Sequence, residues 1–189
     1  MSAPAPIAAA SLVALTLSAG LAAGDVTVDR MFSSQMVLQR DMPVAVWGTA
    51  KAGETVKVEF RDQKKQVRAG EDGKWDVRLD AMKVGEPAKM TVRGAAGEPV
   101  VFEDVLVGEV WVGSGQSNMA GGAGSYARND PELAKILAGG PYPKLRLYTG
   151  RDGWKQADES SAAGFSALLF SFGHCVDKRL DVPVGLIVG

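Results

Sequence analysis

From Asp25 to about Asp104, apolar residues recur at every second position in short runs. "TVKVEF" (Thr55 to Phe60) sets Val56, Val58 and Phe60 on one face, and "WDVRL" does the same with Trp75, Val77 and Leu79. A period of two is the signature of a half-buried strand. Glu71-Asp72-Gly73-Lys74 lies just before the second run. Its Asp-Gly pair lets backbone dihedrals go positive, as a tight turn requires. "PVAVWG" and "KMTVRG" are further short runs closed by glycine, and no long 3.6-residue period intervenes. Several short strands at this spacing predict a small β-sandwich over residues 25–105.

The pattern changes from Val105. "VLVGEVWVG" is nearly continuous in apolar residues, as in a parallel strand covered on both faces. Asp130 stands at an N-cap position and Pro131 at the first helical position of "PELAKILA", which stops at Gly139-Gly140. "KLRLY" (Lys144 to Tyr148) predicts a second strand. A longer helix is predicted from Gly164 to Leu180, with Phe165, Leu168, Leu169, Phe172, Val176 and Leu180 on one face. "VPVGLIVG" (Val182 to Gly189) predicts a third strand. Strand alternating with helix predicts a parallel α/β layout over residues 106–189. With no helix after its third strand, that layout reads as the first part of a larger domain. "VPVGLIVG" is then the expected open edge, and residues 106–189 alone are expected to pack loosely.

Composition narrows the function classes. The chain has 189 residues, 46% hydrophobic and 23% charged, a globular balance. A net charge of -1 gives no general attraction to a polyanion, so nucleic acid is set aside as a partner. The basic cluster Lys64, Lys65 and Arg68 reads as the solvated face of a strand. One cysteine, Cys175, and one histidine, His174, leave no intrachain disulfide and no Cys/His zinc site; no metal or cofactor is implied. Residues 1–24 carry no charged side chain, and Ile7 to Ala23 is an Ala/Leu/Val/Ser run ending in Ala22-Ala23-Gly24. This resembles a secretory signal peptide cleaved before Asp25, although no Lys or Arg precedes its apolar part. The run is short and alanine-rich for a stable membrane span. The expected location is secreted or periplasmic.

Between "VLVGEVWV" and the following segment stands "GSGQSNMA", Gly113 to Ala120. A P-loop would need Lys then Ser or Thr after its second glycine, and no lysine comes before Lys135. The dinucleotide fingerprint would need glycine where Asn118 stands, and the α/β-hydrolase elbow glycine where Met119 stands. A serine at the carboxyl end of a parallel strand remains chemically apt. Open α/β sheets bind ligands at that edge, and backbone N–H groups there face developing negative charge. From the residues alone, Ser117 reads equally as a nucleophile or as part of a plain Gly/Ser turn. His174 lies about 180° around its helix from Phe165, so it reads as solvent- or partner-facing rather than as a base. Cys175 reads as packing on the flank of the apolar stripe. Trp111 and Phe172 read as core, and so do Trp47 and Trp75 in preference to sugar platforms. Asp130 and Glu132 read as a cap and a first-turn charge before an acid/base pair.

"GEVWVGSGQSNMA" is similar to the serine block of the sialate O-acetylesterase family of SGNH hydrolases. "MFSSQMVLQRDMPVAVWGTAKAGETVKVEF" and "DGKWDVRL" resemble that family's N-terminal β-domain, and "FSALLFSFGHCVDKRLDVPVGLI" its later helix-strand segment. The resemblance covers about residues 30 to 189 and is looser between Gly121 and Ser161. It implies a flavodoxin-like SGNH domain and a serine carbohydrate esterase that removes O-acetyl groups from sialic acid or other acetylated sugars. Ser117 then maps onto the nucleophile and its own N–H onto one oxyanion donor. Gln116 stands where related enzymes have aspartate and takes a local orienting role. The resemblance also implies a glycine-rich segment, an asparagine block and an Asp-x-x-His block that follow "PVGLI" in the family. The expectation is that base, acid and remaining oxyanion donors lie beyond Gly189, and that residues 1–189 are inactive alone. The alternative is a non-catalytic carbohydrate-binding or scaffold protein.

Overall fold

The computed structural model describes residues 26–150 and 152–189; the leader expected over residues 1–24 lies outside them. The first part holds β1 (Thr27–Val28), β2 (Val37–Gln39), β3 (Val44–Thr49), β4 (Thr55–Phe60), β5 (Gln63–Arg68), β6 (Lys74–Leu79) and β7 (Ala88–Arg93). A long strand, β8 (Val100–Gly113), leads into α1 (Ser117–Ala120), α2 (Ala123–Tyr126) and α3 (Pro131–Ala138). Then come β9 (Tyr142–Tyr148), β10 (Trp154–Ala157), α4 (Glu159–Ala163), α5 (Ala167–Leu180) and β11 (Val184–Val188). The fold is mixed α/β.

The alternation in the sequence decides the first core. Val56, Val58 and Phe60 of β4 and Trp75, Val77 and Leu79 of β6 are all buried. They meet in one apolar cluster, although their strands belong to different sheets. β1, β3 and β6 form a three-stranded sheet, whereas β4 pairs with β5 and β7, and β7 with β8. The Asp72-Gly73 turn, with Gly73 at φ 75°, therefore carries the chain from one sheet to the other rather than closing a hairpin. Lys64 and Arg68 lie exposed on the outer face of β5.

β8 joins the two parts. Its first half pairs antiparallel with β7, residues 106–108 pair parallel with β2, and Glu109–Gly113 pairs parallel with β11. The boundary expected between residues 105 and 106 falls inside this unbroken strand. Arg146 of β9, only 3% exposed, reaches back to the same junction. Its Nη1 lies 2.8 Å from Oδ2 of Asp104, a residue at φ 55°. The contact is an ion pair without hydrogen-bond alignment, since Nε and Nη1 have no hydrogen-bond partner among the described residues. Residues 26–189 are accordingly expected to unfold in one cooperative thermal transition. Two separate transitions by calorimetry would show that the parts fold independently.

The parallel sheet departs from two expectations. In spatial order it runs β9, β11, β8, so the third parallel strand lies between the second and the first. A flavodoxin-like order would put the first strand between the other two, and the described residues do not have it. "VPVGLIVG" is consequently not an open edge. Its near-continuous apolar run suits the central place, with Val184 and Leu186 buried against the helices and Ile187 facing the β-rich part. The open edge is the far side of β8 beyond Gly108, where the Gln39 side chain accepts a hydrogen bond from the Val110 N–H at 2.8 Å.

The predicted face of the long helix also shifts. α5 buries Leu169, Phe170 and Gly173, while Leu168, Phe172 and Leu180 are exposed. The reason is Gly173: a side chain there would collide with Leu186 of β11. By the helical step, Leu169 and Phe170 lie within about 60° of Gly173 and Leu168 about 140° away. Turning the glycine to the sheet brings the helix close and leaves Leu168 outside. Trp111 and Phe172, expected in the core, instead form an exposed edge-to-face pair with centroids 5.1 Å apart. Cys175, expected to pack, is exposed.

Candidate active site

Parallel pairing brings the carboxyl ends of three strands into line. Val188 stands opposite Gly113, and Ile187 opposite Tyr148. The Gly189 N–H donates to the Gly113 carbonyl at 3.0 Å. The serine turn leaves this edge from Gly113. A Cβ on Gly113 would come within 2.7 Å of Leu169 Cδ2 and 3.1 Å of Met119 Sδ. The glycine is thus what lets α1 and α5 close over the strand end.

The turn is stitched to the start of α5. Ser166, buried, donates from Oγ to Met119 Sδ at 3.3 Å and accepts from the Leu169 N–H at 3.2 Å. The Ala167 N–H donates to the Gly121 carbonyl at 2.8 Å, and the Ala123 N–H to the Phe165 carbonyl at 2.9 Å. Between these anchors Ser117 is the first residue of α1 and is exposed. Its Oγ makes no hydrogen bond among the described residues. The first N–H groups of a helix have no intrahelical carbonyl, so the Ser117 N–H is available to a ligand. Gln116 starts the helix through its backbone, its carbonyl accepting from Met119 N–H at 2.9 Å and Ala120 N–H at 3.1 Å. Its side chain makes no capping bond and is exposed.

His174 is not brought to this turn. It packs edge-on against the Tyr142 ring, centroids 5.1 Å apart. Tyr142 begins β9, at the amino edge of the sheet, about six residues or 20 Å along the strand from the edge that carries Ser117. Burial and neighbouring Lys178 hold the imidazole below its ordinary pKa, against a smaller opposing pull from Asp177. The expectation of a purely solvent- or partner-facing histidine is corrected to a half-buried one seated on a tyrosine. Asp130 caps α3 as its position predicts, its Oδ1 accepting from the N–H groups of Glu132 and Leu133 at 3.1 Å each. Trp75 is core, while Trp47 is partly exposed against Phe32. Among the described residues no three His, Cys, Asp or Glu side chains converge as metal ligands.

Two concavities adjoin the carboxyl edge. The larger, about 850 Å³, follows β10 between Gln35, Thr149, Gln156 and Gly164 and does not include the serine turn. The smaller, about 330 Å³, has Asn118, the residue after Ser117, in its wall together with Tyr126, Asp130, Leu168 and Ser171. The sequence reading did not single out Asn118, Tyr126 or Ser171. The available signal was Gly121-Gly122 directly after the serine block, a backbone made bare for a close neighbour.

No protein-family model matches the chain. Sialate O-acetylesterases from Homo sapiens and Pongo abelii are each 38% identical over 187 aligned positions, covering 82% of this chain and 35% of theirs. The Rattus norvegicus sialate O-acetylesterase is 28% identical over 182 positions, covering 80% and 33%. A solved carbohydrate acetylesterase from Xanthomonas citri superposes with a TM-score of 0.79 at 28% identity, covering 86% of this chain and 39% of that one. The chain spans about a third of the length of the curated relatives it matches. Sequence blocks, fold and relatives agree: the chain belongs to the sialate O-acetylesterase family.

Proposed function

We propose that the chain carries the nucleophile segment of a serine esterase that removes O-acetyl groups from sugars, with Ser117 as nucleophile. The observation that carries this reading is the exposed Ser117 hydroxyl at the start of α1, on the carboxyl edge of the parallel sheet. The Ser117 Oγ attacks the acetyl carbonyl carbon, and its own N–H faces the oxyanion. The ester C–O bond breaks, the sugar oxygen takes up a proton, and acetyl-serine remains. Water then releases acetate and restores the serine. Gln116 orients the turn through the carbonyl that begins α1. The base that takes the Ser117 proton is not His174, which lies at the other edge of the sheet; in this reading it comes from sequence outside residues 26–189. Residues 1–24 serve as a leader to a secreted or periplasmic location, and the two sheets of the first part act as a β-sandwich domain.

A protein extended to the full length of its relatives should release acetate from O-acetylated sugars. No release from any acetylated sugar or from an aryl acetate would sink the esterase reading. It would favour the alternative of a non-catalytic sugar-binding protein, in which His174 stays seated on Tyr142 and away from Ser117.

A further inference from the structure

The concavity beside Asn118 has no counterpart in the chemistry assigned to Ser117. We infer that it holds the ring of a neutral O-acetylated sugar, with Tyr126 as its stacking surface. The inference rests on the esterase reading for the sugar and on geometry for the rest. At about 330 Å³ the cleft falls within the range of small-molecule sites, roughly 300–1,000 Å³. Tyr126 is 49% exposed, and its ring is held in place from behind: any side chain on Gly121 would collide with ring atom Cε2. A half-exposed aromatic ring anchored against backbone suits the apolar face of a pyranose. Leu133, Ala167 and Leu168 supply apolar wall, while Asn118 and Ser171 bring polar groups to it.

Charge selects among sugars. Among the described residues the wall contains no Lys or Arg, and its single charged member is Asp130. One oxygen of that carboxylate is committed to the α3 N-terminus, and the other is free to accept from a sugar hydroxyl. Arg128, the nearest cation along the chain, lies outside the wall. A sugar carboxylate here would lose water and meet Asp130 without a compensating cation among the described residues, which disfavours it. The site therefore suits neutral acetylated sugars in preference to sialic acids.

The test uses the full-length protein carrying Ser117→Ala, so that turnover cannot mask binding. Binding of methyl 3-O-acetyl-glucopyranoside is compared by NMR titration with its glucuronopyranoside counterpart and with 9-O-acetyl-N-acetylneuraminic acid. The neutral sugar should bind about tenfold more tightly than either anion at low salt. Tyr126→Ala should weaken it about tenfold and Tyr126→Phe by less than about threefold, with unchanged melting curves. Equal or tighter binding of the anions would overturn the charge argument. Undiminished binding by Tyr126→Ala would overturn the stacking surface. Failure of Ser117 as nucleophile leaves these binding results untouched, so the two claims fail separately.

Discussion

Replacing Ser117 by alanine in the full-length protein is expected to lower kcat/KM for acetate release by about 10⁴-fold or more. The substitution removes one oxygen from an exposed side chain that makes no hydrogen bond among the described residues. Stability should therefore stay within about 0.5 kcal/mol of the parent. The turn itself is held by Gly113, Met119, Ser166 and the Gly121 carbonyl, none of which is touched. Loss of turnover without loss of folding assigns the effect to chemistry. Sugar binding should survive, because the cleft at Asn118, Tyr126 and Ser171 does not include the Ser117 side chain.

The second large effect concerns the fold that presents the serine. Gly173→Leu is expected to destabilise residues 26–189 by about 3 kcal/mol, near the upper end for inserting bulk into a packed interior. That is a fall of roughly 10 °C in Tm for a chain of this size. The new side chain would meet Leu186, which is fully buried in the central strand between β8 and β9. Relief requires α5 to lift from the sheet, and α5 carries the Leu169 and Ser166 contacts that seat the serine turn. Gly164→Ala is the control. Gly164 has φ -87° and ψ -7°, and a Cβ there meets nothing within 4 Å. Its replacement should be neutral or stabilising by up to about 1 kcal/mol. Equal melting temperatures for the two variants would show that the close approach of α5 to β11 is not a constraint.

What the sequence disclosed, and what it hid, follows from which signals are local. Alternation in β4 and β6, the Asp130-Pro131 start of α3 and the serine turn at a strand end are encoded by neighbours in the chain. Strand order is not. Nothing in the apolar run of β11 says that it slips between β8 and β9, so the sequence alone points to the wrong strand as the open edge. The face of α5 was inferred from where its large apolar residues lie. The packing is governed instead by its smallest residue, because Gly173 lets the helix sit against Leu186. β10 and α4 span only four and five residues and carry no period long enough to read. The one cue for α4 was Asp158, whose side chain accepts from the Ser161 N–H at 2.7 Å while Ser161 Oγ accepts from the Asp158 N–H at 2.9 Å. Ser117 was legible as a candidate because Gly113 and Gly115 mark its turn. Tyr126 was not, since its role depends on a ring lying over Gly121 and on a cleft that only folding assembles.

The central claim is that Ser117 becomes covalently acetylated during turnover. The direct measurement is mass spectrometry of the full-length protein quenched in acid during hydrolysis of an activated aryl acetate, followed by peptide mapping. The account predicts one added acetyl group, located on Ser117 and absent from Ser117→Ala. An acetyl group on another residue, with Ser117→Ala still releasing acetate at the parent rate, would contradict it.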